Sequence, residues 1–197
     1  MPGHVSRVRS AGMQLSRDVI AEAAVRILDE YGLADVSMRR VAGQLGVAPG
    51  ALYWHVENKQ ALVSAMAELI LSPVRKHSDP REMCSQIRAA LLSHRDGADV
   101  VMAAVSQPHS PLFASLVKDL RATLPHSDPR ADAAAEALLF LTLGAANIYQ
   151  SGAQLQDVTK TPGTPRGESV DTAVDLLLLG LGHSPDSVNI DSHDKSS

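Results

Sequence analysis

A short stretch in the first third of the chain carries the side chains best suited to contact a nucleic acid. It reads LGVAPGALYWHVENKQAL from Leu45 to Leu62, and Tyr53, His55 and Lys59 stand out within it. A DNA-binding protein needs phosphate contacts to set its register and groove contacts to choose a sequence. Lys59 can meet a phosphate beside free backbone N–H groups if it opens a helix. Tyr53 and His55 can reach the groove because the residues before them are small, namely Pro49, Gly50 and Ala51.

Two residues upstream extend this predicted DNA-contact surface. Ser37 precedes the helical pattern that contains Arg39, so it has the position of a helix N-cap that can meet a phosphate. Arg39 is the only long, fork-shaped donor expected near the groove, and arginine binds the O6 and N7 atoms of guanine with two hydrogen bonds. Arg40 is instead expected to face solvent or to form an ion pair within the chain.

Each of these side chains also has an ordinary structural interpretation. Taken alone, Tyr53 would more often be a partly buried packing residue, and Lys59 would be a solvated surface charge. Their combination with His55 at these offsets, inside the helical pattern described next, favours contact with DNA. Trp54 is assigned to packing between the DNA-binding head and the helix that follows it.

The elements that must position these residues are helices, and the first is predicted over 17–31. Ser16 is a good N-cap, apolar residues recur behind it at helical spacing, and Gly32 suits the position after the last turn. Ser37 begins a second helix, whose apolar stripe ends at Gly46.

A third helix is predicted over 49–55, because Pro49 suits the first position of a helix. Two short helices joined by a three- or four-residue turn with a glycine form a helix-turn-helix, whose second helix enters the major groove of DNA. Asn58 can cap a fourth helix, which Pro73 kinks or ends. The first third of the chain therefore has the pattern of a DNA-binding head.

The rest of the chain reads as an all-α body. Proline and glycine residues separate helices predicted over 80–95, 97–105, 110–124, 129–151 and 168–181. The last two are apolar nearly all round, so they need burial on every face. In a body this small, packing against a second copy of the chain in a four-helix interface satisfies that need. We therefore expect a homodimer held by these two helices.

Composition and charge fit a globular protein of the cytoplasm. The 197 residues are 45% hydrophobic and 20% charged, and Cys84 is the one cysteine. The net charge is −4, yet the first sixty residues carry seven Lys or Arg against six Asp or Glu, so the front is the basic end. The N-terminus lacks the apolar core of a signal peptide, and no stretch approaches about 18 uninterrupted apolar residues. Neither export nor a membrane span is expected.

The sequence lacks the residue patterns that mark common enzymes and metal sites. The eight histidines are scattered, with neither the i, i+4 spacing of a helical metal site nor an HExxH pattern. The chain has no glycine-rich phosphate loop and no G-x-S-x-G pattern. His94, Arg95 and Asp96 are clustered, but Gly97 follows directly, which favours a helix terminus with an ion pair. We therefore expect no enzyme, no metal and no cofactor.

The motifs together resemble the DNA-binding head of the TetR family of transcriptional regulators. The family's hallmark is a Leu-Gly-Val turn, then Leu-Tyr-x-His and a lysine that opens the next helix, which correspond here to residues 45–47, 52–55 and Lys59. Two further segments, ALLSHRDGA at 90–98 and FLTLG at 140–144, resemble body segments of the family. The resemblance covers roughly residues 15 to 150. It implies a homodimeric repressor that binds a palindromic operator and releases it when a small molecule enters the body.

The residue pattern and the resemblance together predict a division of the chain into four parts. These are a basic flexible arm over 1–15, a three-helix DNA-binding domain with the helix-turn-helix over 16–60, a helical ligand-binding and dimerisation domain over 61–182, and a disordered tail over 183–197. Within the third part, residues 154–168 are rich in proline and glycine and are expected to form a mobile loop.

Two departures from the family's pattern bear on the ligand and the operator. Members that bind a magnesium–tetracycline complex carry a metal-binding histidine shortly after the Arg-Asp-Gly-Ala segment, and Val101 stands at that place here. Valine cannot ligate a metal, so the expected ligand is a hydrophobic or amphipathic organic molecule that needs none. The expected operator differs as well, because Pro49, Gly50 and Ala51 replace polar side chains of the reading helix.

The family's architecture implies a mostly apolar ligand pocket among the helices from 80 to 151. Its candidate lining combines adaptable methionines with a few polar groups, as is typical of small-molecule pockets. The candidates are Met83, Ile87, Leu91, Met102, Phe113, Leu116, Phe140, Asn147 and Gln150. Most of them would be plain core residues in a protein without a ligand. The alternative function is a helix-turn-helix regulator controlled by a protein partner.

Overall fold

The computed structural model describes residues 14–160 and 169–182, and within these ranges the chain is all-helical without a strand. The predicted all-α fold class is thus confirmed. The helices are α1 (Arg17–Tyr31), α2 (Met38–Leu45), α3 (Pro49–Leu52), α4 (Lys59–Leu71), α5 (Pro80–Leu92), α6 (Gly97–Val105), α7 (Pro111–Arg121), α8 (Ala131–Thr159) and α9 (Val170–Gly182). A single 3-10 turn, Leu33–Asp35, follows α1.

Side-chain caps set where the head helices begin, and all three predicted caps are confirmed. The Oγ atom of Ser16 accepts a hydrogen bond from the backbone N–H of Val19 at 3.2 Å. Ser37 caps α2 in the same way at 3.2 Å, and the Oδ1 atom of Asn58 caps α4 at 2.8 Å. Each cap satisfies an N–H group that lacks a partner within the helix, which stabilises the head by about 0.5–2 kcal/mol per cap. Local sequence thus determines these boundaries.

The third helix is shorter than predicted, because it ends at Leu52 rather than at residue 55. The carbonyl of Leu52 accepts hydrogen bonds from the N–H groups of both His55 and Val56, at 2.9 and 2.8 Å, and the chain turns there. Leu52 and Val56 are both buried in the head core, which ties the two ends of this turn to the protein interior. Tyr53 therefore leaves the helix at its cap instead of standing on its face.

The head and the body share one continuous core. In the head, α1 packs against α2 and α4, and α4 also packs against α6 in the body. Ile20, Leu62 and Met66 are fully buried where these helices meet. Burying each such side chain contributes about 1.5–3 kcal/mol. Because α4 belongs to both packing units, it is one route by which a shift of α6 reaches the head.

Helix α8 is the longest element and extends eight residues beyond the predicted end at 151. Residues 154–159, which were expected to lie in a mobile loop, belong to α8. No proline interrupts the helix there, since the first proline after the start of α8 is Pro162. The remainder of that predicted loop, 161–168, lies outside the described residues, as do the predicted tail from 183 and residues 1–13 of the predicted arm.

Helix α8 is also long and apolar enough to cross a membrane by length and composition alone. Of its most apolar 18-residue window, 44% is buried inside the chain, where α8 packs against α5, α6, α7 and α9. The core helix of a globular protein passes the same test. The packing of α8 fits that explanation.

The two helices expected to be buried all round each leave one apolar face exposed in the single chain. On α8 this face includes Phe140, Ile148 and Leu155, which are 56%, 54% and 63% exposed. On α9 Leu176 is 65% exposed, whereas Leu177 packs against the chain's own core. We call the exposed residues Phe140, Ile148, Leu155 and Leu176 the apolar face of the body.

The turn between α5 and α6 depends on a glycine. A Cβ atom at Gly97 would lie 2.3 Å from the carbonyl oxygen of Leu91, far inside van der Waals contact with a fixed backbone atom. We therefore expect Gly97→Ala to lower the free energy of unfolding by about 1–3 kcal/mol through forced backbone movement. Thermal unfolding followed by circular dichroism measures the change.

Gly43→Ala is the matched control for this prediction. A Cβ atom at Gly43, within α2, meets nothing within 4 Å, so the substitution should be neutral or raise stability by about 0.5–1 kcal/mol. Equal melting temperatures of the Gly97→Ala variant and the unmodified protein would contradict the steric argument.

Candidate DNA-binding surface and head–body joint

The eight predicted DNA-contact residues lie on the outside of the head. Seven are exposed, and Ala51 is half-buried. Ser37 and Arg39 line one cleft of about 600 Å³ beside Gly43 and Gln44 of α2. The others lie on α3, on the turn after it and at the first residue of α4; they are Pro49, Gly50, Ala51, Tyr53, His55 and Lys59. A helix-turn-helix formed by α2 and α3 thus presents them to solvent.

The two neighbouring arginines of α2 have different roles. Arg40 forms an ion pair with Asp35, and its guanidinium lies 4.0 Å from the centre of the Tyr31 ring, so the predicted intramolecular use of Arg40 is confirmed. Arg39 is exposed, and it forms no hydrogen bond or ion pair within the part of the chain that the structure describes. Its guanidinium is therefore available for an external acceptor.

Trp54 does not pack between the head and α4, and that prediction is wrong. Its side chain is 89% exposed, more than any other large hydrophobic residue of the described chain. Leu52 and Val56, two residues to either side, occupy the head core and leave Trp54 pointing outward. Leu52 and Val56 are apolar residues four positions apart in the sequence. This spacing could have indicated that both face the core and that Trp54, between them, faces outward. Trp54 therefore joins Tyr53 on the predicted DNA-contact surface.

The predicted ligand-pocket residues fall into different environments. Met83, Ile87 and Leu91 on α5 are fully buried core residues, and Leu116 on α7 is buried as well. Met102 is at the surface of α6.

Phe113 and Phe140 are brought together between α7 and α8. Their rings stack with centres 6.0 Å apart, although Phe140 is mostly exposed. Asn147 donates a hydrogen bond to the carboxylate of Asp99 at 2.7 Å. The polar candidates on α8 are thus already engaged with the helices that α8 packs against, which sequence spacing could not reveal.

The turn between α5 and α6 connects the body to the head, and we call residues 93–97 the head–body joint. Toward the head, the Nδ1 atom of His94 lies 3.0 Å from the carboxylate of Asp29 at the end of α1. The Oδ2 atom of Asp96 accepts a hydrogen bond from the backbone N–H of Leu33 at 2.7 Å. The predicted helix terminus is therefore confirmed, and its side chains bind the end of α1 and the backbone of Leu33.

The same joint is held from the body by two glutamines of α8. The Oε1 atom of Gln150 accepts from the N–H of Ala98 at 3.1 Å, and its Nε2 atom donates to the carbonyl of His94 at 2.7 Å. The Nε2 atom of Gln154 donates to the carboxylate of Asp96. Gln150 thus satisfies backbone groups at the start of α6, and α8 is connected through a few side chains to the end of α1.

Cys84, the one cysteine of the sequence, lies in the interior of the body. Cys84 is buried, and burial raises the pKa of its thiol, which keeps it protonated and poorly nucleophilic. No cluster of three or more His, Cys, Asp or Glu side chains that could hold a metal ion exists among residues 14–160 and 169–182.

Comparison with known proteins assigns the chain to a family. Residues 20–66 match the sequence model of the bacterial regulatory proteins of the tetR family. The chain is 32% identical over 151 residues to the class A tetracycline repressor from transposon 1721 of Escherichia coli, a match that covers 71% of this chain and 69% of that repressor. The chain belongs to the TetR family. Its match to the class C tetracycline repressor of Escherichia coli, at 34% identity, covers 65% of that protein, slightly less than two thirds.

Solved structures superimpose on the same fold. The structure of BioQ with its double-stranded DNA operator is 35% identical to this chain, with a TM-score of 0.73, and the alignment covers 87% of this chain and all of that one. A TetR variant from Acinetobacter baumannii AYE in complex with minocycline is 26% identical, with a TM-score of 0.68 over 86% of this chain and 97% of the other. The similarity thus extends through the body as well as the TetR-family head.

Proposed function

We propose that the chain is a homodimeric transcriptional repressor of the cytoplasm that binds a palindromic operator and releases it when a small organic molecule binds the body. The observation that carries this proposal is the helix-turn-helix of α2 and α3, with its exposed and unpaired Arg39. The division into an arm, a DNA-binding domain over 16–60, a body over 61–182 and a tail belongs to the same proposal.

The contacts to DNA divide into those that position the head and those that read bases. Ser37 and Lys59, at the starts of α2 and α4, contact phosphates beside free helix N–H groups. Arg39 reads a guanine in the groove, while Tyr53 and His55 contact DNA from the turn after α3. Pro49, Gly50 and Ala51 let the backbone approach the base edges.

Selection of bound duplexes from a random pool tests DNA binding directly. A symmetric dimer binds two half-sites related by two-fold symmetry, with centres about one helical turn, roughly 34 to 36 Å, apart. We therefore expect the selected sequences to converge on a palindrome with that spacing. Recovery of sequences without symmetry, or of none above background, would contradict the proposal.

Dimerisation follows from the apolar face of the body, which one chain leaves in water. Six large apolar side chains on α8 and α9 are more than half exposed: the four of this apolar face, Phe140, Ile148, Leu155 and Leu176, together with Val158 and Leu179. An exposed apolar patch on neighbouring helices is typical of an interface between copies of a chain. In the proposed dimer, α8 and α9 of each copy form a four-helix interface about a two-fold axis.

Ligand control is supported by the fold shared with a minocycline-bound TetR variant. The proposed ligand is hydrophobic or amphipathic and binds without a metal. Release requires that the ligand bind the non-binding arrangement of the two heads more tightly than the DNA-binding one.

Tetracycline with magnesium should leave the protein bound to DNA. Val101 on α6 is fully buried among apolar residues and stands where metal-dependent relatives carry a histidine, so the metal lacks a ligand there. We expect neither a change in Trp54 fluorescence nor a loss of labelled operator in an anisotropy titration. A panel of amphipathic organic compounds without magnesium provides the comparison. Magnesium-dependent release at micromolar drug would show that Val101 does not decide the ligand class.

A further inference from the structure

A solvent-open cleft of about 580 Å³ lies between the last three turns of α8 and the head–body joint. Its volume is within the range of about 300–1,000 Å³ that small-molecule sites occupy. It is separate from the predicted apolar pocket, because Gln150 is the only predicted pocket residue that lines it. From α5 and the joint, the lining residues are Leu92, Ser93, His94 and Arg95, and from α8 they are Tyr149, Gln150, Ala153, Gln154, Asp157 and Val158.

A cation with an unpartnered N–H group lies next to the lining of this cleft, although it does not itself line it. Arg88 lies one helical turn before Leu92 on α5, and its guanidinium carbon is 5.5 Å from the centre of the Tyr149 ring. Its Nε atom is buried and has no hydrogen-bond partner. A buried N–H group without a partner is rare in native proteins because it loses its hydration without compensation. Because this Nε atom is buried and Arg88 does not line the cleft, it can bind a ligand oxygen only if the side chain moves toward the cleft.

The other charged residues at the cleft leave its arginine side without a carboxylate partner among the described residues. The guanidinium of Arg95 donates to the backbone carbonyl of Glu30 at 3.3 Å and pairs with no carboxylate of the described chain. The negative charge of Asp29 already faces His94. Asp157, an exposed residue at the outer end, is the one acid among the lining residues. Arg88 and Arg95 thus favour an anion, while Leu92, Tyr149 and Val158 offer apolar contact.

We propose that this cleft is the effector site and that it takes an anionic amphipathic molecule, an organic carboxylate with a flat apolar body. The inference rests on the proposed function and names the ligand class. Four lining residues make the contacts of the head–body joint: His94 and Arg95 bind the end of α1, and Gln150 and Gln154 bind the joint from α8. An occupant that competes for these groups changes how the head is held, which a ligand elsewhere could do only indirectly.

Calorimetric titration of the full-length protein with naphthalene-2-carboxylate and with its uncharged carboxamide tests the charge requirement. We expect the carboxylate to bind at least about tenfold more tightly, since its charged oxygens accept stronger hydrogen bonds from a guanidinium than the neutral amide carbonyl does. Arg88→Met keeps the apolar stem and should weaken carboxylate binding by about tenfold or more, while Arg88→Lys should retain part of it. Arg75→Met, at an exposed arginine between α4 and α5, is the control and should bind as the unmodified protein does.

A second variant tests the location and the effector role. Ala153→Trp fills the cleft from α8 and should abolish both carboxylate binding and carboxylate-induced release of labelled operator. The inference is wrong if the unmodified protein does not bind the carboxylate, or if Arg88→Met binds it equally. It is also wrong if a compound releases DNA from Ala153→Trp as readily as from the unmodified protein, although ligand control itself would then stand. If the carboxylate binds but neither it nor any compound of the panel releases the operator, ligand control itself is contradicted as well.

Discussion

Leu176→Glu should convert the dimer into monomers and weaken operator binding by more than about a hundredfold. Each chain would bring one carboxylate into the proposed interface, where it is desolvated without a partner. An uncompensated buried charge costs about 3–5 kcal/mol, and every 1.4 kcal/mol changes an equilibrium tenfold. Operator affinity falls with dimerisation because a single head makes too few contacts. Analytical ultracentrifugation and an operator titration measure the two effects.

The choice of leucine depends on the structure. Leu177, the apparent centre of the leucine run, packs against its own chain, so a charge there would damage the fold and give an ambiguous result. Leu176 and Ile148 are exposed on α9 and α8, and Ile148→Glu should reproduce the effect from the other helix. Ser115→Glu adds the same charge at an exposed site on α7 and should remain dimeric. Intact dimers of both Leu176→Glu and Ile148→Glu would exclude the proposed interface.

Lys59→Ala and Arg39→Ala should both weaken DNA binding, but with different signatures. Lys59 is proposed to neutralise a phosphate, so its loss weakens every sequence alike and lowers the salt slope by about one per head. Arg39 is proposed to read a base, so its loss costs about 1–3 kcal/mol on the operator and relaxes preference at one base pair per half-site. Binding to operator variants over a range of salt concentrations separates the two.

Arg40→Ala is the matched control, because Arg40 is the neighbouring arginine on α2 and is engaged with Asp35 and Tyr31. It should leave base preference unchanged. If Lys59→Ala altered base preference and Arg39→Ala did not, the two roles would have been assigned the wrong way round.

The head could be predicted from the sequence because its signals act over short distances. Ser16, Ser37 and Asn58 each cap a helix by bonding an N–H group three residues later, so residue type and position suffice. Gly32 and Gly46 end α1 and α2 with positive φ angles of 90° and 67°, which glycine adopts at low cost. The helix-turn-helix and its exposed contact residues follow from these local rules.

Only the tertiary structure decided which side chains meet across the chain. Trp54 faces solvent because Leu52 and Val56 occupy the head core, and Leu176 rather than Leu177 is exposed because α9 packs on α5 and α8. The head–body joint unites Asp29 with His94 and Asp96 with Gln154, pairs separated by 65 and 58 residues. Hydrogen bonds between residues so far apart leave no periodic trace in a sequence, because they depend on how whole helices pack.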